Sequence, residues 1–106
     1  MKFTKTILAT AFAFMTAAAH ADITIGVVQP LTGPASGLGI PVKNAVALWP
    51  KTIAGETLKV IVLDDASDPT AGVKATQRLI TEDKVDVLVG STATPVAIPM
   101  AEVAAE

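Results

Sequence analysis

The chain has no cysteine and no tyrosine, and only one histidine and one tryptophan among its 106 residues. Each scarcity removes a class of chemistry. Without cysteine there is no thiolate nucleophile, no disulfide and no cysteine-bound metal. The single His20 lies in an N-terminal stretch built like an export signal. There Lys2 and Lys5 precede the apolar run ILATAFAFM, and Ala19 and Ala21 bracket His20 in a small-x-small step. This pattern predicts a signal peptide over residues 1–21, cut between Ala21 and Asp22, with residues 22–106 as the mature domain. The apolar run falls short of the roughly 20 residues that a membrane span needs.

Cleavage would remove His20 and all three phenylalanines, leaving Trp49 as the sole aromatic residue. A Ser-His or Cys-His nucleophile pair is then excluded within the chain. No imidazole or thiolate remains to hold zinc, so no transition-metal site is expected, and the residues point to no cofactor. The mature segment keeps all ten acids against six bases (Lys43, Lys51, Lys59, Lys74, Arg78 and Lys84), a charge of −4. An acidic domain without a basic stripe argues against nucleic acid. Export without disulfides fits a soluble product of a bacterial periplasm.

What is present is a repeated strand-to-helix pattern. Ile23–Val28, Leu58–Leu63 and Val85–Val89 are apolar, non-alternating runs that predict three buried strands. Each is followed by a polar break and a helical stretch. The first break runs from Gln29 through Gly39, with Pro41 expected as the first helical residue and Val42, Ala45, Val46 and Trp49 forming one apolar face. Pro50 should end that helix, and Trp49 reads as a core or rim aromatic. The second break holds Asp64, Asp65, Ser67 and Asp68. Asp68-Pro69 is a cap-then-proline helix start, and the other acids lack the spacing of a calcium loop, so capping and solvation are expected for them. The third is Gly90-Ser91-Thr92-Ala93, with Thr94-Pro95 as a hydroxyl cap and first-turn proline; Pro99 should bend the helix that follows. Such an alternation predicts an α/β fold, a three-layer parallel sheet of βα units with helices on both faces. Ligands of these sheets bind beyond the carboxyl ends of the strands, where all three polar loops lie. The loop at Thr94 leads into a helix N-terminus, whose free N–H groups and dipole favour an anion.

One glycine loop has two lookalikes. Thr32-Gly33-x-x-x-Gly37-x-Gly39 resembles the TGxxxGxG nucleotide loop of short-chain dehydrogenases, and a fragment of such an oxidoreductase is the alternative reading. Against it, Gln29-Pro30 separate strand from glycines, the Tyr-x-x-x-Lys catalytic pair is missing, and an exported protein meets no nicotinamide pool. The second resemblance covers nearly all of the mature chain. ITIGVVQPLTGPASGLGIPVKNAVAL, KVIVLDDASDPTAGVKATQRLI and VDVLVGSTATPVAIPMAEVAAE together resemble the start of a type I periplasmic binding protein of the Leu/Ile/Val-binding, ABC-importer branch.

That resemblance implies a non-catalytic solute receptor, part of its first lobe, that partners an inner-membrane ABC permease when full length. Domain closure on a small carboxylate ligand such as an amino acid would signal to the permease. It implies that Thr94 holds the ligand carboxylate, that Thr92 and Ala93 line the same turn, and that the loop around Ser36 and Leu38 approaches from the side. A ligand-sensing domain of the same fold is a further alternative. The segment from Trp49 to Glu56 departs from the family, which usually carries an Asn and paired glycines there. Members also run to several hundred residues in two lobes, so the chain reads as an N-terminal fragment.

Overall fold

The computed structural model describes residues 21–106, so the expected signal peptide lies, Ala21 apart, outside the described residues. Strand β1 spans Ile23–Gln29 and is followed by helix α1, Ser36–Val46. A two-residue strand β2, Thr52–Ile53, precedes the long β3, Glu56–Asp64. Helix α2, Pro69–Thr81, strand β4, Val87–Val89, and helix α3, Thr94–Ala104, complete the order.

The sheet runs β2-β3-β1-β4, with β1 parallel to both β3 and β4. The expected parallel sheet of βα units is therefore present, with one addition. β2 pairs antiparallel with β3 through a two-residue turn at Ala54-Gly55, with φ of 51° and 82°. Positive φ at both central residues is the hairpin geometry that matches strand twist. The family-departing segment thus contains an edge hairpin.

Alternate residues of β3 face opposite layers, as the period of two requires. Ile61 and Leu63 pack with Val28, Leu79, Val96 and Met100 into the main core beneath α2 and α3. Leu58, Val60 and Val62 line the other face, opposite Val46 and the half-buried Trp49 of the α1 side. Burying each large core side chain contributes about 1.5–3 kcal/mol, so the α2–α3 side carries most of the apolar stabilisation. Helices α2 and α3 approach closely because Gly72 leaves the space that Val96 fills. Beside it, the buried Thr76 hydroxyl donates to the Gly72 carbonyl at 2.9 Å, which satisfies its polar group within the helix.

Among the boundaries that differ from the sequence-based expectation, helix α1 ends at Val46, before Trp49, and two element starts are displaced. Helix α1 begins at Ser36, and Pro41 lies inside it rather than at its start. Gly37 and Gly39, which suggested a loop, are helical, and Gly39 is required there because a Cβ would fall on the Pro30 carbonyl. Ser36 and Leu38 consequently sit on the first turn of a helix. Strand β4 begins at Val87 rather than Val85. Asp86 replaces the missing ladder rungs: its N–H donates to Thr24 O and its carboxylate accepts from Thr24 N–H, both at 2.8 Å.

Candidate functional site

The order β3-β1-β4 sends the chain to α1 on one face after β1, and to α3 on the other face after β4. A crevice must open between those two exits, beyond the carboxyl ends of the strands. It does so here. Pro34, Ala35 and Leu38 from the start of α1, Ser67 from the β3–α2 loop, and the run Thr92–Val96 line a cleft of about 360 Å³. That volume is at the small end of the range for small-molecule sites.

The cleft walls are held by side chains that bind backbone. At the end of β3, the Asp64 carboxylate accepts Leu31 N–H at 2.8 Å, Thr32 N–H at 3.2 Å, the Thr32 hydroxyl at 2.7 Å and Ala66 N–H at 2.8 Å. Burial pushes this carboxyl upward, but the hydrogen bonds from Thr32, Ala66 and Leu31 outweigh it and hold it below the ordinary carboxylate value. Ser67, at φ 60°, donates its hydroxyl to Thr32 O at 2.9 Å and accepts Ala35 N–H at 3.0 Å. Its own N–H donates to Asp65 at 2.8 Å, which helps hold a left-handed backbone that an ordinary residue avoids. Asp68 caps α2 by accepting from Thr70 and Ala71, as expected. Solvation, expected for the other acids, holds for Asp64, which stays exposed while clamping a loop, and is corrected for Asp65, which is fully buried.

On the opposite wall the local geometry also departs from a capped helix. The N-cap of α3 is Ala93 in extended backbone, Thr94 is the first helical residue, and no side chain caps the helix. Val96 and Ala97 N–H both turn inward to the Ala93 carbonyl at 2.9 Å, while Ala93 N–H donates to the Ser91 hydroxyl at 3.1 Å. Proline at position 95 has no N–H to offer. The donors left without a partner at this helix start, among the described residues, are those of Thr94, an exposed residue of the cleft lining.

Of the five residues singled out by sequence, Leu38, Thr92, Ala93 and Thr94 share the cleft lining. Ser36 is not among the lining residues; its N–H closes the turn to Gly33 O at 3.1 Å. Thr92 has spent its donors, because both its N–H and its hydroxyl bind the Gln29 side-chain oxygen, at 3.2 and 3.0 Å. Sequence reasoning missed Gln29 and Ser67 as parts of this architecture. For Gln29 a signal existed: a polar residue closing an apolar strand must find partners if it is buried, and it is 1% exposed.

The glycines of the nucleotide-loop lookalike do not form a phosphate cradle. Gly33 occupies a turn at φ 81°, packed against Ala66 and Ser67, while Gly37 and Gly39 lie within α1.

Comparison with known proteins gives one consistent answer. Residues 22–106 match the family described as periplasmic binding protein. A Leu/Ile/Val-binding protein of Rhizobium johnstonii is 39% identical over 96% of this chain and 30% of its own length. The crystal structure of an extracellular ligand-binding receptor from Rhodopseudomonas palustris superposes with a TM-score of 0.78 at 45% identity, over 80% of this chain and 24% of that one. An ABC-transporter solute-binding protein from the same species, in complex with 3,4-dihydroxybenzoic acid, gives 0.70 at 34% identity, over 78% and 24%. The chain thus spans less than a third of the length of each of these relatives.

Proposed function

The chain belongs to the periplasmic binding protein family, and on that premise we propose that residues 22–106 form the part of a first lobe that receives the carboxylate of a small solute. The family consists of ABC-transporter solute-binding proteins, so the proposed role is transport without catalysis, in the periplasm, with an inner-membrane permease as partner. Ligand would bridge this lobe and a second one and stabilise the closed form.

The observation that carries the reading is the start of α3. Its first N–H and its hydroxyl, both from Thr94, have no partner among the described residues, while the other donors of the cleft lining are already committed. A helix N-terminus with free donors favours an anion. Branched-chain amino acids, named for the Rhizobium relative, and 3,4-dihydroxybenzoic acid, bound by the palustris relative, differ in size, shape and charge. Their common group is a carboxylate, which suits a contact made by the segment that all these chains share. The remaining lining, with Pro34, Leu38, Pro95 and Val96, is apolar and suits the body of either ligand.

The test is calorimetric titration of the receptor that carries this segment together with its second lobe, using L-leucine and 3,4-dihydroxybenzoate. Thr94→Val keeps the shape and removes the hydroxyl, so affinity for the bound carboxylate should fall by about 1–3 kcal/mol, the loss expected for a hydrogen bond to a charged group. An unchanged affinity would remove Thr94 from the site.

A further inference from the structure

Gln29 stands where the two walls of the cleft meet. It ends β1, the strand that lies between β3 and β4, and its side chain is fully enclosed. The Nε2 group donates to Gly90 O at 2.6 Å, and Oε1 accepts both Thr92 N–H at 3.2 Å and the Thr92 hydroxyl at 3.0 Å. The chemistry of the partners sets the amide orientation, since a carbonyl only accepts and a backbone N–H only donates. Its own carbonyl accepts Asp65 N–H at 3.0 Å. One residue therefore ties β1 to the loops after both β3 and β4.

We infer that Gln29 is a positioning residue for ligand binding: its amide holds the Gly90–Thr92 loop so that the Thr94 donors face the cleft. This inference rests on the carboxylate reading above. Three features support it. The loop has no other side-chain tie from outside itself among the described residues, because Ser91 binds only its neighbour Ala93. Gly90 and Ser91 lie outside both β4 and α3, so no ladder or helix bond fixes them. Finally, Thr92 is only two residues from Thr94, so a loop released from Gln29 swings the first turn of α3. Catalysis and binding sites tolerate little such displacement, because a hydrogen bond weakens steeply once its angle departs from linear.

A residue that merely stabilised the fold would change melting and leave the affinity of the folded protein alone. A double-mutant cycle separates the two roles. The receptor that carries this segment together with its second lobe, its Thr94→Val and Gln29→Met variants and the double variant are compared by amide NMR titration with 3,4-dihydroxybenzoate and with L-leucine at constant ionic strength. Met fills the volume of Gln and offers none of its hydrogen bonds. Gln29→Met should weaken binding of whichever probe the parent takes by tenfold or more, and by several-fold less when Thr94 is already Val, which leaves only the backbone N–H to be positioned. Parental affinity in folded Gln29→Met overturns the inference, and so does a loss that persists undiminished beside Thr94→Val. If Gln29→Met loses the dispersed spectrum of a folded chain, Thr92→Val removes one of the three bonds at an exposed position. It should weaken binding about threefold, again only while Thr94 is present, and parental affinity there overturns the inference. A Thr94→Val chain that binds both probes like the parent, or a parent that binds neither, removes the carboxylate reading and the positioning role with it.

Discussion

The Asp64 carboxylate accepts four hydrogen bonds at the end of β3 while remaining exposed to solvent, and these bonds favour its ionised form. A group whose folded-state value lies below its unfolded one contributes stability above the unfolded value of about 3.9, and that contribution is lost as pH falls through the folded value. Asp64→Asn keeps the shape and the oxygen that accepts three of the four bonds, but removes the titration. Acid unfolding followed by circular dichroism should therefore have a shallower limb below about pH 4 in Asp64→Asn than in the parent. Equal slopes would show that this carboxyl does not couple to folding. At this scale the sequence was partly legible. Thr94, Thr92, Ala93 and Leu38 meet in one cleft, as their positions after strands suggested. Gln29 and Ser67 were hidden because their partners arrive from loops more than thirty residues away, and no local pattern announces such a pairing.

Among the elements, the three βα units follow from apolar runs and cap-proline steps, whereas the β2 hairpin does not. Two residues are too few for a periodic signal, and the turn carries Ala54 where Asn, Asp or Gly would mark it. Left-handed backbone costs an ordinary residue about 1–2 kcal/mol, and Asn recovers part of that through local hydrogen bonding. Ala54→Asn should accordingly raise stability by about 0.5–1 kcal/mol in urea titration, without changing the slope against denaturant. A loss of stability would mean that the turn does not hold its left-handed pair in solution. The start of α1 was misplaced for a related reason. Gly37 and Gly39 read as loop residues by composition, yet Gly39 serves the close crossing of a helix over Pro30. A packing requirement and a turn requirement leave the same letter in the sequence.

At the scale of the whole molecule, β1 is the only strand flanked on both sides by parallel neighbours among the described residues. Its Val27 and Val28 are fully buried, while β4 pairs through three residues and leaves Val87 49% exposed at the edge. Native-state hydrogen exchange should thus be slowest at β1 amides, intermediate in β3, and fastest at β2 and β4. Comparable protection of β4 and β1 would contradict this sheet order. Export belongs to the same scale. Mass spectrometry of the secreted product should find Asp22 at its N-terminus, and retention of Met1 would remove the signal-peptide expectation.

The tie between Gln29 and Thr92 closes a span of 63 residues. Joining chain ends across such a distance carries an entropic cost that grows with its logarithm, and the rewards of non-local contacts come only afterwards. The β3 hairpin and the three helices can form from neighbours in the chain. The pairing of β1 with β4, and the Gln29 bonds above it, must wait for residues 87–92 to be made and delivered. The wall of the cleft that holds Thr94 is then among the last parts of the molecule to assemble, together with the share of the core that Val96 and Met100 supply.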